Sequence, residues 1–163
     1  MHAGQYRKQA AIPYISHPLA VCAKVLESGG DEDQAIAALL HDAVEDCGGL
    51  PTLDEIKRRY GDRVARIVLD CSDSVGEPKP PWEERKQAYL ASLANKPKDS
   101  LLVALADKSH NAECIVRDLL EHGDEVWSRF TASREEVCAY YRALAETFAR
   151  VLPAAQPSAF EIP

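Results

Sequence analysis

Four groups of residues have types and spacings that can do chemistry: His17-Pro18, His41-Asp42, Glu45-Asp46, and Asp107 with Asn111. His41 and Asp42 close the run Ala35-Ile36-Ala37-Ala38-Leu39-Leu40, which reads as a buried helical segment. Burying an imidazole and a carboxylate side by side costs several kcal/mol unless they pair or bind a metal. Neighbouring side chains on a helix diverge by about 100°, yet both can still reach one ion held beside it. Glu45 follows His41 by four residues and Asp42 by three, so it faces the same region. Asp107 repeats the anomaly after the apolar run Leu101-Leu102-Val103-Ala104-Leu105-Ala106, and Asn111 shares its helical face. Two histidines and two aspartates form a mixed nitrogen and oxygen donor set, which suits manganese, iron or zinc better than calcium. Glu45 and Asp46 add carboxylates able to orient or deprotonate a metal-bound water. Singly, a His-Asp pair reads more readily as a structural hydrogen bond, and Glu45-Asp46 as a solvated helix end. Their joint occurrence in this order points to a site.

The elements that must position these residues read as helical nearly throughout. Leu19, Cys22, Val25 and Leu26 have helical spacing after Pro18, a favoured early helical residue. Ser28-Gly29-Gly30 stops that helix, and Asp31 or Asp33 can cap the next. The second helix is expected over 33–46, with Ile36, Leu39, Leu40 and Val44 as its apolar side and Gly48-Gly49 at its end. Thr52 reads as an N-cap with Glu55 at the capping-box position, in a helix ending near Gly61. Further helices are expected over 62–71, 82–94, 98–121 and 133–151, with 72–81 as a proline-rich loop. Residues 153–163 read as a mobile tail. The expected architecture is all-α, one helical domain over residues 1–152.

The 163 residues carry 19 basic and 26 acidic side chains, a formal net charge of −7. That balance argues against non-specific nucleic-acid binding but leaves room for a locally basic pocket. Apolar residues make up 46%, yet no apolar run approaches the roughly 20 residues of a membrane span. The N-terminal residues lack the apolar core of a secretory signal. Five scattered cysteines without a Cys-x-x-Cys pair argue against a disulfide framework, so a cytoplasmic location is expected.

His17, His41-Asp42 and Asp107 resemble the H…HD…D pattern of the HD-domain metal-dependent phosphohydrolases. Four strings narrow the resemblance: Gly4-Gln5-Tyr6-Arg7-Lys8, Pro13-Tyr14-Ile15-Ser16-His17-Pro18-Leu19, Leu40-His41-Asp42-Ala43-Val44-Glu45-Asp46 and Leu105-Ala106-Asp107-Lys108-Ser109-His110-Asn111. They are similar to the hydrolase domain of the RelA/SpoT group and to the small alarmone hydrolases, including the metazoan SpoT homologue. The resemblance implies a single HD-domain helical bundle that binds one manganese ion and removes the 3′-pyrophosphate from ppGpp or pppGpp. By that resemblance His17, His41, Asp42 and Asp107 ligate the metal, and Glu45 and Asp46 activate the attacking water. Arg7 and Lys8 match the basic pair of the nucleotide pocket, Lys108 and Asn111 lie near the phosphates and ribose, and Tyr140 approaches the nucleotide. His110 is read as a supporting or packing residue.

The chain departs from the pattern at several points. Cys47 stands where relatives have threonine, Ser109 where they have leucine, and the segment after Lys8 is one residue longer. Relatives carry a further helix before the first motif, so an N-terminal piece is expected to be absent. The synthetase domain of the long RelA/SpoT proteins is missing, so alarmone synthesis is not expected. Other readings are a (p)ppApp hydrolase, another nucleotide phosphohydrolase such as an NADPH 2′-phosphatase, or a non-catalytic nucleotide-sensing or antitoxin module. The partner is expected to be a small nucleotide rather than a membrane or a specific nucleic acid, and a homo-oligomer is compatible with the sequence.

Overall fold

A computed structural model describes residues 4–7, 12–75 and 78–152. The order is α1 (Ser16–Glu27), α2 (Glu32–Leu40), α3 (Ala43–Asp46), α4 (Gly49–Cys71), α5 (Trp82–Leu93), α6 (Lys98–His122), a 3-10 helix (Gly123–Arg129) and α7 (Arg134–Val151). The described residues form no strand; one isolated antiparallel bridge joins Tyr6 to Pro13. The expected all-α architecture is present. α1, α2, α4 and α6 pack on one another, and α5 and α7 form a second pair that meets this group through α6. Val21, Val25, Ala37, Ala38, Val64, Ile67, Val68 and Val103 fill the centre. The tail over 153–163 lies outside the described residues.

Local chemistry explains most of the boundaries. Asp31 caps α2 through a full capping box: its carboxylate accepts from Gln34 N–H at 3.1 Å, and Gln34 Oε1 accepts from Asp31 N–H at 3.0 Å. Ser133 and Glu136 make the same box at the start of α7. Gly61 breaks α4 into two legs, because its φ of +90° is a conformation that side-chain-bearing residues rarely adopt. Gly123 closes α6 with φ +61°.

Three expectations are corrected. The 33–46 helix divides at His41-Asp42 into α2 and α3. His41 Nδ1 donates to Ala38 O at 2.7 Å, and that carbonyl is the one Asp42 N–H would take in an unbroken helix. The buried sides are also partly rotated from the expected ones, although Val25 and Val44 are buried and Cys22, Ile36 and Leu40 pack against the core as expected. Leu19 and Leu26 are 55% and 52% exposed, while His17, Pro18, Val21 and Val25 face the core; on α2 the inner face is Gln34, Ala37 and Ala38. Small alanines let the backbones approach closely, and the bulkier apolar residues stay at the rim. Thr52 is no N-cap, since α4 begins at Gly49; its hydroxyl donates to Cys47 O at 2.8 Å, and Glu55 pairs with Arg58 and Arg59.

A polar clamp holds the ends of the helices opposite the site. Arg63 reaches Asp31 at 2.8 Å, Asp33 at 3.0 Å and Asp99 at 3.1 Å. Arg66 reaches Asp99 at 2.7 Å and donates to Ser100 Oγ at 2.9 Å, while the fully buried Ser100 donates to Asp70 at 2.6 Å. α2, α4 and α6 are thereby tied in register. The α1–α2 turn is as tightly made: Gly30 N–H donates to Val25 O at 2.9 Å, and a Cβ at position 30 would stand 2.5 Å from Val25 Cγ1 and 2.8 Å from Val25 O. Gly30→Ala is therefore expected to lower stability by about 1–3 kcal/mol in urea unfolding, because backbone must shift to admit the methyl group.

Candidate functional site

Side chains from three parts of the fold come close together. His17 stands in the first turn of α1, His41 and Asp42 in the break between α2 and α3, and Asp107 midway along α6. The two Nε2 atoms are 3.2 Å apart. Asp107 Oδ1 lies 3.1 Å from His17 Nε2 and 3.5 Å from His41 Nε2, and Asp42 Oδ2 lies 3.7 Å and 3.1 Å from the same atoms. His17, His41 and Asp42 satisfy the geometry of a metal-holding group. The break in the helix makes this convergence possible, since it lets two adjacent residues turn toward one centre.

The surroundings orient these donors. Because Ala38 O can only accept, His41 carries a proton on Nδ1, and its Nε2 is the nitrogen aimed at the centre. Tyr14 donates its hydroxyl to Asp42 Oδ2. Asp107 is held by Asn111 Nδ2, which donates to Oδ1 at 2.6 Å, and by Lys108 Nζ at 2.6 Å from Oδ2. Burial by itself would raise the carboxyl of Asp42, but the His41 ring beside it holds the pKa down at about 2. Burial likewise opposes a charge on His41, and the carboxylates of Asp42 and Asp107 outweigh it, raising its pKa to about 10. For Asp107, burial is overcome by Lys108 and His41, which keep it well below the ordinary carboxylate range. Two carboxylates thus hold positive charge at their centre. A divalent cation there would compensate both in place of the His41 proton, so the donor set fits a metal.

Glu45 and Asp46 follow one turn later on α3 and line the cavity into which the centre opens. Burial and the nearby charge of Asp73 raise the pKa of Glu45, while Lys79, 3.2 Å away, pulls it down. The cavity has a volume of about 560 Å³. Seven basic side chains line it against six acidic ones, so its wall is weakly positive although the chain is at −7. Asp73 anchors part of that wall, binding Arg85 at 2.8 Å and pairing with Lys86. Apolar and aromatic side chains also line it, among them Ile115, Val126, Phe130, Val137 and Tyr141. Volume alone does not mark the site. A larger shallow hollow of about 730 Å³ on the outside of α6, lined by Ala112, Val116 and Leu120, contains none of the donor groups.

Of the residues expected to bind substrate, Arg7, Lys108, Asn111 and Tyr140 line the same cavity. Arg7 is held there by the short ribbon around the Tyr6–Pro13 bridge, where its N–H donates to Ile12 O at 3.0 Å, and its guanidinium donates to Asn111 Oδ1 at 3.2 Å. Lys108 and Asn111 both also grip Asp107, so each supports a donor as well as facing the cavity. Tyr140 is buried beside Trp82 and Tyr141, with Lys86 over its ring, and its hydroxyl has no hydrogen-bond partner among the described residues. Lys8 lies outside the described residues. Sequence reasoning missed the support of Asp42 by Tyr14, and the wall formed by Lys79, Arg85 and Lys86. The basic residues come from a proline-rich loop and a helix start that read as ordinary surface; only the adjacency of Arg85 and Lys86 hinted at them.

The comparisons with known proteins agree with this geometry. Residues 1–138 match the family HD_4, described as an HD domain. The human guanosine-3′,5′-bis(diphosphate) 3′-pyrophosphohydrolase MESH1 is 37% identical over 130 residues, covering 78% of this chain and 68% of that protein. An Aquifex aeolicus guanosine-3′,5′-bis(diphosphate) 3′-pyrophosphohydrolase is 36% identical over 114 residues, 69% of this chain; the match spans only 16% of the Aquifex protein. Among solved structures, lmo0812 from Listeria monocytogenes superposes with a TM-score of 0.74 at 28% identity, covering 87% of this chain and 90% of that one. A metazoan ortholog of SpoT that hydrolyses ppGpp superposes with a TM-score of 0.62 at 25% identity, covering 91% and 88%. With its H…HD…D residues gathered at one point and relatives of this kind, the chain belongs to the HD-domain family of metal-dependent phosphohydrolases, in the branch that holds MESH1 and the SpoT ortholog.

Proposed function

We propose that this chain is a manganese-dependent hydrolase that removes the 3′-pyrophosphate of (p)ppGpp-type alarmones, giving GDP or GTP and pyrophosphate. The observation that carries the reading is the cluster of His17, His41, Asp42 and Asp107, with Glu45 and Asp46 one turn away, opening on a weakly positive cavity that is also lined by apolar and aromatic side chains. Such a cavity suits a ligand that carries both anionic groups and a flat aromatic ring. His17, His41, Asp42 and Asp107 would hold the ion, which supplies Lewis-acid activation when bound. Glu45, with its raised pKa, is suited to take a proton from the attacking water, and Asp46 beside it to orient that water. Lys79, Arg85 and Lys86 would face the phosphates, and Arg7 and Tyr140 the nucleoside. One domain over residues 1–152 and a cytoplasmic location complete the proposal; all five cysteines are unbridged, and no described helix is long and apolar enough to cross a membrane.

The direct test incubates purified protein and Mn²⁺ with ppGpp, pppApp and NADPH in parallel and resolves the products by anion exchange. Pyrophosphate from ppGpp is expected, lost in Asp42→Ala together with metal binding. Glu45→Ala should keep the metal and lose about 10²–10⁴-fold in kcat. Pyrophosphate from pppApp alone would reassign the base, orthophosphate from NADPH alone would make the protein a phosphatase, and bound metal without turnover would indicate sensing. Glu45 also sets a pH dependence. Activity should fall on acidification through an apparent pKa above the ordinary glutamate value of about 4.3. Lys79→Met should move that limb further toward neutral pH, because the cation that lowers the Glu45 pKa is gone. Tyr14→Phe removes the hydroxyl that orients Asp42 and should weaken Mn²⁺ binding by about 10-fold in calorimetry, with the fold retained.

A further inference from the structure

His17 has two ring nitrogens with different surroundings. Nε2 faces the centre, 3.2 Å from His41 Nε2 and 3.1 Å from Asp107 Oδ1. Nδ1 points the other way and lies 2.7 Å from Nδ1 of His110, with the two rings tilted at 32° and their centroids 4.9 Å apart. Two nitrogens at that separation share one proton, so one ring donates and the other accepts. A ligating Nε2 must offer its lone pair, which puts the His17 proton on Nδ1 and makes His110 Nδ1 the acceptor. The remaining His110 proton then sits on Nε2; Cys114 Sγ, one turn further along α6, lies 3.7 Å from Nε2 and 3.8 Å from Nδ1 and does not distinguish the two nitrogens.

We infer that His110 is a positioning residue for the metal centre: it accepts the Nδ1 proton of His17 and so holds that ring in the tautomer and orientation that present Nε2 to the ion. The inference rests on the reading of His17 as a ligand. Metal-bound histidines usually donate their second nitrogen to a carboxylate, a backbone carbonyl or water. His41 follows that habit through Ala38 O, whereas His17 leans on another imidazole. α6 thus serves the centre twice, supplying Asp107 directly and, less than one turn later, the residue that orients a ligand from α1.

The test is calorimetric titration of Mn²⁺ alone into metal-free wild type, His110→Asn and His110→Leu, with thermal unfolding of each metal-free protein alongside. Asparagine places an oxygen acceptor one bond beyond Cγ, where Nδ1 stands, and leucine places a methyl group there. His110→Leu should bind Mn²⁺ about 10–100-fold more weakly, and His110→Asn should stay within about threefold of wild type. A purely packing role would instead lower the melting temperature and leave both affinities alike. Leucine and wild-type proteins of equal affinity would overturn the inference, as would an asparagine variant that loses as much as the leucine variant. Wild type that binds no metal would overturn the ligand reading itself, and this inference with it. A measurement without variants covers the case in which leucine prevents folding. Long-range ¹H–¹⁵N spectra of wild type loaded with Zn²⁺, a diamagnetic stand-in, should show His17 protonated on Nδ1 and His110 on Nε2. The opposite tautomer at either ring would overturn the inference.

Discussion

Asp107 keeps 2% of its surface in water and lies in the middle of a helix flanked by apolar residues. An uncompensated carboxylate in that position would give up its charge or destabilise the fold. Lys108 and Asn111 from its own helix answer that demand directly, and His17 from α1 and His41 from the end of α2 stand against it where a cation would be shared. Removing one member of a buried, paired set leaves a charge stranded, typically at a cost of about 3–5 kcal/mol. The arrangement of α1, α2 and α6 around this carboxylate therefore follows from electrostatics as much as from apolar burial. It explains why α1 turns His17 inward and leaves Leu19 and Leu26 in solvent.

Charge is sorted at a larger scale as well. The chain is acidic, yet the wall of the site cavity is weakly positive, and Asp73 makes this workable. Its carboxylate holds Arg85 and Lys86 together where their mutual repulsion would otherwise spread them. At the opposite ends of the helices, Arg63 and Arg66 gather Asp31, Asp33 and Asp99 into a clamp. The clamp ties α2, α4 and α6 to one another.

The departures from the family pattern fall unevenly on this framework. Ser109 borders the hollow outside α6 and not the cavity, so the exchange from leucine leaves the donors untouched. Cys47 follows the Glu45-Asp46 pair, and its carbonyl takes the hydroxyl of Thr52, which secures the turn between α3 and α4 through a neighbouring residue.

Composition and pattern were enough to read the all-α class, the extents of α6 and α7, the loop before α5 and the break at Gly61, because helical period, capping residues and glycine act over a few neighbours. His41, Asp42 and Asp107 stood out in the sequence for a related reason: a histidine and carboxylates inside apolar runs are anomalies visible without coordinates. The rotation of α1 and α2 was not legible. Hydrophobicity assigned the inner face to leucine and isoleucine, while the actual face is set by histidines that must meet Asp107, which is 90 residues from His17 in the chain. The division of the 33–46 helix depends on one imidazole bonding one carbonyl, and the basic wall on a loop folding back toward α3. Residue types and local periods were determined by the sequence alone. Which face turned inward, and which distant charges met, was decided by the tertiary structure, because buried charge is compensated by whatever the fold brings within a few ångströms.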